Sequence, residues 1–494
     1  MSAEDSSNSP AQRRLTRRAF LMQASRLGLG AAGASLLAAC GGTPSAPVAT
    51  PAGSTGGAAQ PTAAPAAPAQ GGTAQVTISM MGWGSLLEKE NVQKGLDLFQ
   101  SQNPNIKVNW LHTPNEEYET KLKTMLAGGT PPDVFWASNM ADYVSRGVVM
   151  DITERVKNDP VISKPDYFIQ PAEENRATIN GKWYGIGSCW VVHHLYYNAD
   201  MLQKAGVEPP PTDPAKAWTW DQFLDVARKL TVDSAGKHPN ESGFDPNNVQ
   251  QWGVSWPTWF LPRDVMVYSN GGEAFTPDYK IHLGEPVATE AIQQVADLAN
   301  VHHVAPLSLT LQTLNLTGIQ MLASQKLAIL MDGSWLLQDI AKQPFKPGAG
   351  VLPKLKDAVT EAQAHMHMIH KDTKYPDESW KLLAFLSSDD YQLGLIKAGL
   401  WLPSHTSLLT EEGISKWLTP GVHPDGYKQI ATDYLGKAAR NYFYPAGHSE
   451  ANQIITTALD PVWVGKAQVD QALKDADAIA KAEAVLAKAR EGLG

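Results

Sequence analysis

The chain has 494 residues, of which 43% are hydrophobic and 18% are charged, and its formal net charge is -9. This composition is typical of a globular protein large enough for two separate cores, and it excludes disorder for most of the chain. The acidic balance argues against nucleic acid as a partner. Because the chain has two cysteines, Cys40 and Cys189, a disulfide framework is excluded as well.

Residues 1–39 are predicted to be an export signal. Arg17 and Arg18 lie in a stretch that resembles the twin-arginine signal, and the apolar run that follows is too short to span a bilayer as a helix. Residues 37–40 (LAAC) resemble a lipobox, which implies cleavage before Cys40 and a lipid on that cysteine. We therefore expect a lipoprotein held at the outer face of the cell membrane through Cys40. An uncleaved N-terminal anchor is the alternative.

After Cys40, residues 41–74 contain no charged and no aromatic side chain and consist of Gly, Ala, Pro, Thr, Ser, Gln and Val. Such a segment cannot bury enough apolar surface to fold. We expect residues 40–74 to form a tether between the lipid and the folded body.

From residue 76 onward, strand and helix patterns alternate. The predicted elements are a strand at 76–81, a helix at 86–102, a strand at 106–110, a helix at about 116–127 and a strand at 134–136. This rhythm indicates a mainly parallel sheet with helices on both faces, and ligands of such sheets bind beyond the carboxyl ends of strands. Trp83 and Trp136 lie at two such ends.

The later part of the chain has longer loops rich in proline. Its predicted elements are strands at 182–187 and 191–197, helices at 199–205, 220–230, 287–301 and 319–324, a strand at 326–331, and a largely helical segment at 376–493.

Eight short motifs follow one another along the body. They are residues 132–137 (PDVFWA), 184–186 (YGI), 196–201 (YYNADM), 206–211 (GVEPPP), 218–220 (WTW), 318–321 (GIQM), 327–335 (LAILMDGSW) and 465–473 (GKAQVDQAL). In this order they resemble the extracellular solute-binding proteins of sugar importers, the class that includes the maltodextrin-binding proteins. The resemblance covers most of residues 75–490.

The resemblance implies an α/β fold of two discontinuous lobes around a hinge, the Venus-flytrap arrangement of type II periplasmic-binding proteins. We expect an N-lobe of residues 75–187 plus 367–405 and a C-lobe of residues 188–366 plus 406–494, with crossings near Gly187 and His367. A ligand in the interlobe cleft would stabilise the closed form.

The same resemblance implies the substrate-binding lipoprotein of an ABC importer, a monomer without cofactor or enzymatic activity. It would capture a carbohydrate and deliver it to the transmembrane subunits of a permease.

A carbohydrate offers apolar C–H faces and a rim of hydroxyls, so its site needs aromatic rings and planar polar groups. By resemblance, Trp136 and Asn139 lie in a ligand-contacting segment, Trp335 holds a stacking position, and Trp190 follows the first crossing. Ten residues form the predicted site: Trp83, Ser85, Trp136, Asn139, Trp190, Trp256, Arg263, Asp332, Trp335 and Trp401.

Other roles remain open for several of these residues. Trp259 is a further candidate from its placement, any one tryptophan could be a core residue, and Asp332 could cap a helix. Met140 stands where the maltodextrin-type pattern has a polar contact, so the specific sugar is open.

The alternation in residues 365–368 (HMHM) places His365 and His367 on one face of a strand, where they could bind a soft metal. A hinge strand without metal is favoured, because no further Cys or acidic ligand lies at a suitable spacing. Cys189 is predicted to be a buried free thiol.

Two other function classes remain. A secreted glycoside hydrolase would need two carboxylates, which can come from distant strands, but the chain has no G-x-S-x-G, H-E-x-x-H or P-loop motif. A binding protein for a polyol, a sugar phosphate or a metal, or one that serves a sensor, would share the fold.

Overall fold

The computed structural model of the protein describes residues 75–493. The predicted export signal, Cys40 and the whole predicted tether lie outside the described residues. The strands of the described part are β1 (Val76–Trp83), β2 (Ile106–Thr113), β3 (Val134–Ala137), β4 (Thr178–Ile179), β5 (Lys182–Trp183), β6 (Ile186–Gly187), β7 (Val191–Asn198), β8 (Val232–Asp233), β9 (Val249–Ser255), β10 (Leu327–Gly333), β11 (Pro347–Gly350), β12 (Thr360–Gln363), β13 (Met366–Ile369) and β14 (Ala439–Asn441).

The α-helices of the same residues are α1 (Leu86–Gln102), α2 (Asn115–Ala127), α3 (Met140–Val144), α4 (Thr153–Asn158), α5 (Ala172–Ala177), α6 (Ala199–Lys204), α7 (Trp220–Leu230), α8 (Phe260–Ser269), α9 (Pro286–Asn300), α10 (Ser308–Leu314), α11 (Gly318–Ala323), α12 (Leu337–Ile340), α13 (Pro376–Leu386), α14 (Asp389–Lys397), α15 (Glu411–Trp417), α16 (Tyr427–Gln429), α17 (His448–Leu459), α18 (Val469–Asp475) and α19 (Ala478–Arg490). Short 3₁₀ helices lie at Pro214–Lys216, Ser334–Leu336, Thr406–Leu409 and Glu491–Leu493, and Ile430–Ala438 is a π-helix.

The N-lobe is built on a five-stranded sheet in the order β2-β1-β3-β13-β6. The pairs β1–β2 and β1–β3 are parallel, as the β-α-β-α-β rhythm predicts, whereas β13 is antiparallel to both β3 and β6. The parallel strands end at Trp83, Thr113 and Ala137, so their carboxyl ends lie along one edge of the sheet.

The C-lobe is built on a second sheet in the order β14-β12-β7-β10-β9-β8, with β11 also paired to β7. Strand β7 is its central element, and seven of its eight residues are buried, as expected for a strand covered on both faces of the sheet. Each sheet has its own cluster of buried hydrophobic side chains, which confirms the expectation of two α/β lobes with separate cores.

Local sequence signals account for the helix ends that the sequence predicts well. Helix α1 begins after Ser85, whose Oγ accepts a hydrogen bond from the N–H of Glu88. Helix α7 begins after Thr219, which forms a capping box with Gln222. Both helices have the predicted bounds.

The predicted strand at 182–187 is wrong as a single element. Lys182–Trp183 (β5) pairs with β4 in a two-stranded sheet, and Ile186–Gly187 (β6) pairs with β13 in the main sheet of the N-lobe. The chain therefore changes sheet at Tyr184 and Gly185. The predicted residue ranges of the two lobes stay a prediction.

Candidate functional site

Three backbone segments pass between the two lobes side by side. The first joins β6 to β7 at residues 188–190, and the second joins β12 to β13 at residues 364–365. The third contains Leu402, whose N–H and C=O exchange hydrogen bonds of 2.9 and 3.0 Å with the backbone of Trp190. Together these segments form the crossing ribbon.

Because side chains alternate along extended backbone, the crossing ribbon has two different faces. His365 and His367 point to one face, where both rings contact the indole of Trp136. Ala364 and Met366 point to the other face and line a cavity there. We call the first the aromatic face and the second the cavity face.

On the aromatic face, the N-lobe places Trp83, Trp136 and Trp401 around His365. The centroid of the His365 ring lies 5.5 Å from that of Trp83, 4.0 Å from that of Trp136 and 4.9 Å from that of Trp401. The structure thus brings together three of the predicted tryptophans, which come from the end of β1, from β3 and from the loop after α14.

Two of these three tryptophans have little exposed surface. Trp136 is 0% exposed and Trp401 is 4% exposed, whereas Trp83 is half-buried. The imidazole of His365 lies parallel to the Trp136 indole, with an angle of 13° between the planes. In this arrangement Trp83 is the N-lobe ring that a ligand can reach, and Trp136 and Trp401 support it.

On the C-lobe side of the aromatic face, two tryptophans surround His193 of β7. Trp335 lies in the 3₁₀ helix after β10, with its ring edge-on to His193 at 5.0 Å, and the ring of Trp259 lies 5.4 Å from His193. Trp259 is 38% exposed and Trp335 is half-buried. A Cβ at Gly333 would overlap the Trp335 ring, so a larger residue here would displace that ring.

A carboxylate lies beneath these C-lobe rings. Glu361 of β12 is fully buried, and its Oε1 contacts Nδ1 of His193. Burial raises the pKa of Glu361, and the neighbouring His193 partly offsets that rise. The pair supplies a hydrogen-bonding group next to Trp335 and Trp259.

The two lobes also touch directly beside the aromatic face. The Oγ of Ser85 donates to Oδ2 of Asp339 at 3.3 Å, and Nδ2 of Asn91 donates to Oε1 of Gln338 at 2.9 Å. Near this contact, Glu88 is 8% exposed, and burial with a smaller contribution from Asp339 raises the pKa of Glu88 to about 8. Ser85 therefore serves as a helix cap and as an interlobe contact.

Comparison with known proteins decides the family. Residues 83–393, more than half of the chain, match the pattern of the bacterial extracellular solute-binding proteins. The chain belongs to this family. It is a solute-binding protein, and the predicted resemblance is confirmed.

Individual relatives and structures are distant in sequence. A protein of Brucella abortus (strain 2308) that is named only as a binding protein is 23% identical over 410 residues, which are 81% of this chain and 90% of that protein. The lactose-binding protein of Rhizobium radiobacter is 22% identical over 286 residues, 56% of this chain and 61% of that protein. An ABC substrate-binding protein of Listeria monocytogenes, solved in complex with cycloalternan, is 23% identical, covers 82% of this chain and 98% of its own, and has a TM-score of 0.72.

In this solute-binding protein, two predicted site residues lie in the C-lobe core instead of on the aromatic face. Trp256 is 6% exposed, and its Nε1 donates to the carbonyl oxygen of Pro262 at 3.0 Å. Arg263 is 1% exposed and its Nε donates to Oδ1 of Asp264 at 2.6 Å. Both are removed from the candidate site, because their polar atoms already have partners within the core.

Trp190 is separated from the other tryptophans by the crossing ribbon. It is 1% exposed, it lies on the cavity face, and the guanidinium of Arg176 stacks 3.7 Å from the centroid of its ring. The alternation along the ribbon puts Trp190 and His193 on opposite faces.

Asn139 and Asp332 remain candidates for polar contacts with a ligand. Asn139 follows β3 and is 8% exposed, and neither atom of its side-chain amide has a hydrogen-bond partner among the described residues. Asp332 is the penultimate residue of β10, its Oδ1 accepts a hydrogen bond from the N–H of Gly333, and burial raises the pKa of Asp332 to about 6. Asn139 thus has unused hydrogen-bonding capacity within the described residues.

Sequence reasoning considered His365 and His367 as possible metal ligands or as parts of a hinge strand, and it did not place His193, Glu361 or Arg176 in the site. Within residues 75–493, no group of three or more His, Cys, Asp and Glu side chains is arranged to hold a metal ion. Strand alternation was the available signal for His365 and His367, since it places both on one face, and that face contacts Trp136. Cys189 is buried and free, as predicted, and burial raises the pKa of its thiol.

No helix of the described residues has the length and hydrophobicity needed to cross a membrane.

Proposed function

We propose that this solute-binding protein captures a neutral carbohydrate on the aromatic face and delivers it to the permease of an ABC importer. The observation that carries the proposal is that aromatic rings of both lobes lie together there: Trp335 of the C-lobe packs against the same N-lobe core cluster as Trp83, and Trp259 lies beside Trp335. Rings of this kind stack against the C–H faces of sugars.

The polar groups around these rings suit hydroxyl donors. The half-buried Asp339 lies at the interlobe contact, Glu361 with His193 is buried under the C-lobe rings, and Asn139, which follows the strand of Trp136, has an amide with no partner among the described residues. Carboxylate oxygens accept hydrogen bonds from hydroxyls and repel anions. This favours a neutral carbohydrate over a sugar phosphate as the cargo.

The lactose-binding relative and the cycloalternan-bound structure support a carbohydrate as the ligand class. The crossing ribbon supports a hinge, because three adjacent extended segments permit the lobes to rotate about them while both cores stay intact. A cargo that touches both lobes then stabilises the closed arrangement. The predicted signal and lipobox support delivery at the outer face of the membrane, with the lipid on Cys40.

A thermal-shift screen of the full-length protein tests the proposal. The panel contains neutral mono-, di- and oligosaccharides, polyols, sugar phosphates, amino acids, peptides and divalent metals. A ligand that binds only the folded state raises the melting temperature in a saturable way. We expect such a rise with one group of neutral carbohydrates and a much smaller one in Trp335→Ala. A rise with metals, peptides or amino acids alone would contradict the carbohydrate, and hydrolysis of any saccharide would indicate an enzyme.

A further inference from the structure

The cavity face of the crossing ribbon contains a cavity of about 490 Å³. Its walls come from both lobes and from the ribbon itself. Asn175 and Arg176 of α5 lie on the N-lobe side, and Asn441, Tyr444 and Arg490 lie on the C-lobe side. Because Ala364 and Met366 line the cavity while His365 and His367 contact Trp136, the cavity is separate from the aromatic face.

The charge of this cavity is opposite to that of the whole protein. The chain has a formal net charge of -9, yet the described residues that line the cavity include two arginines and neither Asp nor Glu. The remaining polar lining consists largely of amides and hydroxyls. The aromatic face has the reverse character, since its charged groups are carboxylates.

The two arginines are held in place by aromatic rings. The guanidinium of Arg176 lies over Trp190, its Nε donates to Oε2 of Glu173 at 2.8 Å, and its Nη2 donates to the carbonyl oxygen of Cys189 at 2.9 Å. The guanidinium of Arg490 lies 5.0 Å from the centroid of Tyr279. Because Glu173 is buried against Arg176 and offsets its charge, Arg490 provides the unbalanced positive charge.

We propose that this cavity is a second binding site, for a small organic anion in which a carboxylate or phosphate is attached to a ring. Arg490 binds the anionic group, the amides of Asn175 and Asn441 bind its remaining oxygens, and the ring packs against Tyr279 and Tyr444. An occupant contacts both lobes without competing with the carbohydrate.

Calorimetric titration of the full-length protein with benzoate and with phenyl phosphate tests this site, with benzyl alcohol as the neutral control at the same ionic strength. We expect saturable binding of at least one anion and none of benzyl alcohol. Arg490→Gln is expected to raise the dissociation constant about tenfold or more, the loss of one charge-assisted contact. Lys488→Gln removes an exposed lysine of the same helix and is expected to change it less than about twofold.

Two further variants separate this site from the carbohydrate site. Trp335→Ala, on the aromatic face, is expected to leave anion binding unchanged, and Arg176→Lys, which keeps the charge but not the planar group, is expected to weaken it. Circular dichroism confirms that each variant is folded. Anion binding that Trp335→Ala removes and Arg490→Gln leaves intact would overturn the proposal, as would equal binding of benzyl alcohol or no saturable binding of either anion.

Discussion

The imidazole of His365 stacks on the indole of Trp136, with ring centroids 4.0 Å apart. His365 belongs to the segment that crosses between the lobes, and Trp136 belongs to the central sheet of the N-lobe. The stack therefore ties the crossing ribbon to one lobe. It also covers the Trp136 face against which a carbohydrate could otherwise stack.

Replacement of His365 is expected to reduce the loss of stability in acid. Burial lowers the pKa of His365 well below its usual value, so the folded protein keeps this imidazole neutral while the unfolded chain takes up a proton near pH 6.5. Stability falls as the pH falls below 6.5, by about 2 to 3 kcal/mol between pH 6.5 and 4.5 from this residue. Urea denaturation at pH 7 and pH 4.5 should show a smaller loss for His365→Gln than for the natural protein. Equal losses would contradict a buried neutral imidazole.

Replacement of Glu88 is expected to stabilise the protein in alkali. Burial raises the pKa of Glu88 to about 8, so its stabilising contribution is present below about pH 4.5 and is lost as the pH rises through about 8. Asp339, Cys189 and Tyr391 are titratable groups that interact electrostatically with Glu88. At pH 9, Glu88→Gln should unfold at a higher urea concentration than the natural protein, with a free energy of unfolding greater by at most about 5 kcal/mol. At pH 4.5 the two proteins should have the same free energy of unfolding. The exposed Glu90→Gln is the control, and an equal gain in this variant would contradict the assignment.

Arg263 is expected to matter for stability and not for binding. Its Nε donates to Oδ1 of Asp264 in the C-lobe core, and Asp264 also accepts a hydrogen bond from Tyr442. Arg263→Met leaves a buried carboxylate without its partner, which typically costs about 3 to 5 kcal/mol. Equilibrium denaturation measures this cost. Carbohydrate affinity of the folded variant should change less than about twofold. A large loss of affinity in a variant as stable as the natural protein would make Arg263 a residue of the binding site.

The tryptophans of the aromatic face are expected to divide into supporting and contacting residues. Trp136 is 0% exposed, so Trp136→Ala should lower the free energy of unfolding by about 3 to 5 kcal/mol. Trp335 is half-buried, and Trp335→Ala should lower it by less than half as much while weakening carbohydrate binding. Denaturation curves of the two variants without ligand make the comparison. Similar stability losses would place Trp335 in the core.

Much of the fold could be predicted from local signals. Helix α1 begins at a serine cap and stops before Asn103-Pro104, and helix α7 begins at a capping box, so both have their predicted bounds. Strand partners depend on distant residues instead. That is why the sequence shows one strand at 182–187, whereas the structure pairs Lys182–Trp183 and Ile186–Gly187 with strands of two different sheets.

The site could be predicted only in part for the same reason. A tryptophan after a strand is visible in the sequence, but the burial of Trp256 depends on Pro262 and on the helix packed beside it. His365 belongs to the site through its stack on Trp136, which is 229 positions away and has no local signature. Trp83 is the last residue of β1, as the strand pattern predicts, because the end of a parallel strand is visible in the local sequence.

Carbohydrate affinity of two single variants, one in each lobe, tests the central claim most directly. Isothermal titration of the carbohydrate that the thermal-shift screen identifies is carried out with the natural protein, Trp83→Ala and Trp335→Ala. If one cargo molecule is held between the lobes, each substitution raises the dissociation constant about tenfold or more. If either variant binds as tightly as the natural protein while the other does not, the cargo rests on a single lobe and the account of capture between the lobes is wrong.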